Sequence, residues 1–147
     1  MLIVCRKGRY SMTQENIQSG VSCRTAKKRT GGEILTQSAL TYIESHYKEK
    51  FSLQTMAGEL FVNGSYLLRV FKKYTGYTPL AYHNHVRCEQ AKKLLSSTNA
   101  SISDIGEAVG FVSPAHFSHI FRKIEGCTPS EYKISHCVYW KKEDVLP

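Results

Sequence analysis

From Ile34 onward apolar residues return every three or four positions, and no stretch alternates apolar with polar as a half-buried strand does. Ile34, Leu35, Ala39, Tyr42 and Ile43 form one such stripe and predict a helix over about 34–48. Ser52 precedes Leu53, Met56, Ala57 and Leu60, which predicts a short helix with a hydroxyl cap. Phe61-Val62-Asn63-Gly64 reads as a turn, with Asn63 capping a helix whose inner face is Leu67, Val70 and Phe71. Gly76 closes that helix, and Thr78-Pro79 opens a long one over about 79–96 carrying Tyr82, Val86, Ala91, Leu94 and Leu95. Ser101-Ile102-Ser103-Asp104 has capping-box spacing, so Ile102, Ile105 and Val109 mark another short helix. Gly110-Phe111-Val112 is its turn, and Ser113-Pro114 starts a helix with Phe117, Ile120 and Phe121 inside. Thr128-Pro129-Ser130-Glu131 caps a last helix through about Lys133. The pattern is all-α.

The pattern also repeats. Leu67-Leu68-Arg69-Val70-Phe71-Lys72-Lys73-Tyr74-Thr75-Gly76-Tyr77-Thr78-Pro79 and, 50 residues later, Phe117-Ser118-His119-Ile120-Phe121-Arg122-Lys123-Ile124-Glu125-Gly126-Cys127-Thr128-Pro129 share one scheme of apolar, basic, Phe, Gly and Thr-Pro positions, and each continues to a Tyr (Tyr82, Tyr132). Repetition at this period means one helical unit used twice. From Ala57 to Phe71 there are 14 steps and from Gly106 to Phe121 there are 15, which puts the extra residue in the second turn.

Charge sharpens the picture. The net charge is +8, of which residues 1–33 hold +5 and residues 34–147 only +3, so the argument for a polyanionic partner rests on where the cations cluster. They cluster at Arg69, Lys72 and Lys73 and at Arg122 and Lys123. Residues 1–33 read as a flexible basic tail or linker, 34–78 as the first unit, 79–96 as a linker helix, 97–133 as the second unit and 134–147 as a C-terminal tail. Cys5, Cys23, Cys88, Cys127 and Cys137 are odd in number and lack close pairs, against a secreted disulfide framework or a Cys-x-x-Cys zinc site. The apolar opening Leu2-Ile3-Val4-Cys5 is too short to span a membrane. A cytoplasmic location is expected.

Two helices joined by a tight turn, the second basic on its outer face, make a helix-turn-helix unit. A helix about 10–12 Å across fits a major groove about 12 Å wide, so outward N-terminal side chains reach base edges while flanking cations meet phosphates. In the first unit Ser65, Tyr66, Leu68, Arg69, Lys72 and Lys73 face out; Arg69 suits guanine and Leu68 a thymine methyl. In the second, Pro114, Ala115, His116, Ser118, His119, Arg122 and Lys123 face out, with His119 in the place of Arg69. Tyr66, Lys72, Lys73, Arg122 and Lys123 are the candidate phosphate contacts. Two units on a stiff helix would address successive grooves about 34 Å apart.

Residues 34–133 resemble the DNA-binding domain of AraC/XylS-type transcription regulators. The resemblance is carried by Leu53-x-x-Met56-Ala57, Tyr66-Leu67-x-Arg69-x-Phe71-Lys72-Lys73-x-x-Gly76, Tyr82 and Arg87-x-x-x-Ala91-x-x-Leu94-Leu95. Its second half is Ile102-x-x-Ile105-Gly106, Val109-Gly110-Phe111 and Phe117-x-x-x-Phe121-Arg122-Lys123-x-x-Gly126-x-Thr128-Pro129-x-x-Tyr132. It implies a seven-helix double helix-turn-helix, two homeodomain-like three-helix units joined by a long linker helix. It also implies base contacts at Ser65, Leu68, Arg69, Ala115, His116, Ser118 and His119, double-stranded DNA as partner, and activation through RNA polymerase. Gly106 departs from the usual Ala and weakens its helix by roughly 1 kcal/mol of propensity. Leu68 and His119 replace commoner polar or Arg readers, so no target sequence carries over. The 33 residues ahead of the domain are too few for the sensor such regulators usually carry, which leaves a short stand-alone regulator or a fragment.

Other readings are weighed against these. His83 and His85 point in different directions on one helix, and His116 and His119 share a face without a third ligand nearby, so no metal is expected. Cys88 and Cys127 read as buried or incidental, and Phe71, Phe111, Phe117 and Phe121 as core. Lys48, Lys50, Lys92, Lys93, Lys141 and Lys142 divide evenly between solvated surface and phosphate contact. No phosphate loop, nucleophile elbow or His-Glu-x-x-His motif is present, so no catalytic residues, cofactor or small-molecule site are expected. Two alternatives remain: the DNA-binding part of an alkylation-repair protein, although Cys5 and Cys23 lack the required spacing, and a helical protein-interaction adaptor.

Overall fold

The computed structural model describes residues 30–136. Among them seven helices and no strands occur: α1 (Gly31–Ser45), α2 (Leu53–Glu59), α3 (Gly64–Thr75), α4 (Pro79–Ser97), α5 (Ile102–Ala108), α6 (Pro114–Glu125) and α7 (Pro129–His136). The expectations for the basic tail through Arg29, for Cys5 and Cys23, and for Cys137 with Val138, Tyr139, Trp140, Lys141 and Lys142 lie outside the described residues.

Local chemistry fixes most helix starts. Asn63 Oδ1 accepts from the Ser65 N–H at 2.9 Å, Ser52 Oγ from Thr55 N–H at 3.2 Å and Thr78 Oγ1 from Ala81 N–H at 3.2 Å. Ser101 with Asp104 and Thr128 with Glu131 close reciprocal pairs, so two otherwise orphaned N–H groups are satisfied at each start. Each cap contributes about 1 kcal/mol. At the far ends of α3 and α6, Gly76 (φ 79°) and Gly126 (φ 83°) take the left-handed conformation that terminates a helix without strain.

Three boundaries differ from the sequence-based expectation. Helix α1 begins at Gly31 rather than 34, because Thr30 and Glu33 form a capping box: Thr30 Oγ1 accepts from Glu33 N–H at 3.3 Å while the Glu33 carboxylate accepts from Thr30 N–H at 3.0 Å. The Thr30 hydroxyl also bonds the Tyr74 hydroxyl at 3.0 Å, and a Cβ on Gly32 would lie 2.7 Å from the Tyr74 ring. Gly32, half of a pair that looks like a linker, permits that close approach, whereas a side chain at Gly31 would meet open space. Helix α1 ends at Ser45 rather than 48, and α7 continues to His136, whose ring stacks on Tyr132 at 4.1 Å.

Two cores form, one per unit. The first gathers Ala39, Leu40, Ile43, Met56, Ala57, Leu67, Phe71 and Val86; the second gathers Cys88, Ala91, Leu95, Ile105, Val109, Phe111, Phe117 and Phe121. Helix α4 belongs to both, giving Val86 to one and Cys88, Ala91 and Leu95 to the other. The repeat is reproduced in detail. Tyr82 meets Phe71 edge-on at 5.9 Å and Tyr132 meets Phe121 edge-on at 5.6 Å, so the start of α4 does for the first unit what α7 does for the second.

The turns show where the copies diverge. Both short helices end in paired backbone bonds, Val62 N–H to Ala57 O and Phe61 N–H to Gly58 O in one, Phe111 N–H to Gly106 O and Gly110 N–H to Glu107 O in the other. The left-handed residue is Gly110 (φ 96°) in the second turn but Phe61 (φ 54°) in the first, where an L side chain is strained. Val112 is the extra residue of the second turn, as the step count predicts. Facing the helix after the turn, Ala57 sits in a core with Leu67, whereas Gly106 lies against Phe117. A Cβ at Gly106 would come within 2.9 Å of Phe117 Cδ1, so the glycine makes room for a larger ring.

Candidate nucleic-acid interface

Helices α3 and α6 each bury one stripe and expose the rest. Leu67, Val70 and Phe71 anchor α3; Phe117 and Phe121 anchor α6, with Ile120 half-buried. Burying each of these phenylalanines contributes about 1.5–3 kcal/mol, enough to fix the rotation of a 12-residue helix about its axis. The outward face then follows from helical geometry. Ser65, Tyr66, Leu68, Arg69, Lys72 and Lys73 are exposed on α3; Pro114, Ala115, His116, His119, Arg122 and Lys123 are exposed on α6, and Ser118 is half-buried. The structure therefore brings the expected residues of each unit together on one face of its helix.

The electrostatics of the two faces are open toward solvent. Among the described residues the ion pairs within 4.0 Å involve only Lys92, so Arg69, Lys72, Lys73, Arg122 and Lys123 form none, although the charge of Arg122 reaches the Glu131 carboxyl. Lys72, Lys73, Arg122 and Lys123 sit in the last turns, where the helix dipole favours cations. The Arg69 guanidinium lies 5.6 Å from the centre of the Tyr66 ring, which holds a long side chain upright beside the N-terminal half of α3. His116 is steadied differently, edge-on to Phe111 at 5.6 Å.

Sequence reasoning misplaces one cation and misses another. Lys92, read as surface or phosphate contact, is only 6% exposed and bonds Glu89 at 2.6 Å and Glu125 at 3.2 Å. Burial depresses its pKa, but the hydrogen bonds and charges of Glu89 and Glu125 more than offset that and the net shift is upward. Lys92 thus ties α4 to the end of α6. Arg87, which the sequence marks only as part of a motif, is 7% exposed and bonds the backbone of the loop after α1. Cys88 is fully buried, and burial, followed by the charges of Glu125 and Glu89, pushes its thiol up to about 12.

The profile of a helix-turn-helix domain family matches residues 56–134, more than half of the chain. A transcriptional regulator from Chromobacterium violaceum with an AraC-type DNA-binding domain superimposes with TM-score 0.68 at 32% identity, over 75% of this chain and 98% of that one. The chain belongs to the AraC family. Among its relatives, the uncharacterized HTH-type transcriptional regulator YisR of Bacillus subtilis is 39% identical over 74% of this chain and 36% of its own length. The bifunctional transcriptional activator and DNA repair enzyme AdaA of the same organism is 35% identical over 63% of this chain and 44% of its own. The DNA-binding domain of the global transcriptional factor AdpA, solved with a target DNA, superimposes with TM-score 0.64 at 26% identity, over 68% of this chain and 90% of that one. The chain thus spans less than half the length of these two curated relatives. Among its described residues no helix is long and apolar enough to cross a membrane.

Proposed function

We propose that this chain is the DNA-binding part of a sequence-specific bacterial transcription regulator that places α3 and α6 in successive major grooves of duplex DNA. The observation that carries the reading is the matched construction of two cationic faces whose charges form no ion pair within 4.0 Å. Arg69, Lys72 and Lys73 on one helix correspond to His119, Arg122 and Lys123 on the other, each helix capped, anchored by phenylalanine and ended by a left-handed glycine. Base edges are read by Ser65, Leu68 and Arg69 and by Ala115, His116, Ser118 and His119; phosphates are held by Tyr66, Lys72, Lys73, Arg122 and Lys123. The likeness to the AdpA domain, which was solved on its target DNA, supports this.

Family likeness extends the proposal to an activator that contacts RNA polymerase in the cytoplasm. The chain itself does no chemistry in this reading. Buried Cys88, its thiol held protonated, is a poor methyl acceptor.

Selection from a randomised duplex pool at near-physiological salt tests the reading. The expected product is a bipartite motif with halves about 10–10.5 base pairs apart. One half-motif would reduce the other helix to a backbone grip, and absence of binding would overturn the reading in favour of a protein adaptor. Transcription in vitro from a promoter bearing the selected site, with purified bacterial polymerase, should rise on adding the protein; an unchanged or lower yield would refute the activator role.

A further inference from the structure

Between the two units lies a contact made by one buried cation of α4. Arg87 projects from the middle of α4 and donates from Nε to Tyr47 O at 2.6 Å and from Nη2 to Glu49 O at 2.7 Å, gripping the loop between α1 and α2. Its guanidinium also lies 5.2 Å from the ring centre of Phe111, in the turn that leads into α6. One charged plane is thus held by the first unit's loop and the second unit's turn.

Three further contacts meet at the same place. Gly110 approaches the loop so closely that a Cβ there would fall 2.3 Å from Lys48 O. Tyr47 packs against both cores. His83, one helical turn before Arg87, is buried with its ring beside the backbone of His46 and Glu49.

We propose that Arg87 is a positioning residue that sets the distance and angle between the two recognition helices, and so makes the chain selective for one half-site spacing. This rests on the reading that both helices read bases. An apolar side chain at 87 would supply cohesion without direction, because dispersion contacts tolerate sliding. A fork that bonds two carbonyls while its plane packs on an aromatic ring fixes translation and rotation together. One added base pair moves a half-site by about 3.4 Å and rotates it by roughly 35°, far beyond the play of bonds at 2.6 and 2.7 Å. Lysine cannot replace the fork, since its ammonium is a single point donor.

The test uses the bipartite site obtained by selection, remade with the halves one or two base pairs closer or farther apart, and compares the unaltered protein with Arg87→Lys and Gly110→Ala. The unaltered protein should lose at least about tenfold in affinity when the spacing changes by one base pair, a loss comparable to a mismatched base pair. Both variants should bind the original spacing more weakly and show a penalty below about threefold for the same change. Point substitutions within each half-site should still weaken all three proteins alike. Spacing profiles that stay parallel among the folded proteins, verified by circular dichroism, would overturn the role, as would an unaltered protein indifferent to spacing. If substitutions in one half-site have no effect on the unaltered protein, it is the two-helix reading that falls. Should Arg87→Lys fail to fold, the Gly110→Ala profile decides by the same criterion.

Discussion

Gly106→Ala measures how closely the two copies were fitted to their own side chains. The new methyl would lie 2.9 Å from Cδ1, 3.2 Å from Cγ and 3.3 Å from Cβ of Phe117. These atoms belong to the root of a fully buried ring held between Phe111 at 5.2 Å and Phe121 at 5.7 Å, so it cannot swing away cheaply. Overpacking of this kind costs about 1–3 kcal/mol, and the gain of alanine over glycine in a helix returns about 1 kcal/mol. The net loss should be about 1 kcal/mol. Phe117→Leu alone leaves a void and should cost about 1–2 kcal/mol. Together the two changes install the Ala and Leu that occupy Ala57 and Leu67 in the first unit, and the methyl fills part of the space the ring vacates. The double variant should therefore be more stable than the sum of the singles by at least about 1 kcal/mol. Urea unfolding with unchanged slope gives the three values. Additivity within about 0.5 kcal/mol would mean that the two sites do not share this space, and the account of Gly106 would be wrong.

Four further outcomes are expected. Arg69→Ala should weaken the selected site by about 1–3 kcal/mol and relax one position of the motif; an equal loss on every sequence would deny it a base-reading role. Lys72→Ala should instead weaken binding broadly and make the dependence of log affinity on log salt shallower by about one, so an unchanged slope would remove it from the phosphate contacts. Phe61→Gly should stabilise the fold by about 0.5–1 kcal/mol, because the side chain is 95% exposed and its φ of 54° is strained, and a lower unfolding midpoint would refute this. His83, 2% exposed, has its pKa lowered to about 4 by burial and the charge of Arg87, against about 6.5 in the unfolded chain. The unfolded state takes up this proton first as pH falls, so stability present above pH 6.5 should drop by about 2–3 kcal/mol toward pH 4. His83→Leu should flatten that decline, and parallel curves would show that other groups cause it.

What the sequence revealed was local. Asn63, Thr78, Ser101 and Thr128 announce helix starts because a cap and its N–H lie within three residues, and Leu67, Val70 and Phe71 announce an inner face because 3.6-residue periodicity needs no partner to be seen. The outward residues of α3 and α6 follow by subtraction. Thr30 and Glu33 have the same capping spacing, yet the intervening Gly31-Gly32 suggests a linker until Tyr74, more than 40 residues on, shows why a side chain is excluded at Gly32. Arg87 and Lys92 were illegible for a related reason. Apart from Glu89, three residues before Lys92, their partners Tyr47, Glu49 and Glu125 are 33 to 40 residues away, and a long cation on a helix carries no local mark of burial. Gly106 looked like a weakness because propensity is counted one helix at a time, while Phe117 belongs to the next.

The sharing of α4 between the cores has a consequence for how the molecule survives in a cell. Val86 and Tyr82 complete the first unit, and Cys88, Ala91 and Leu95 complete the second, so a cut anywhere in α4 strips an apolar wall from one or both. Opening either unit alone would uncover the side of α4 that completes its core while the other side stays packed. A protease that cuts α4 should therefore loosen both units rather than release one of them intact.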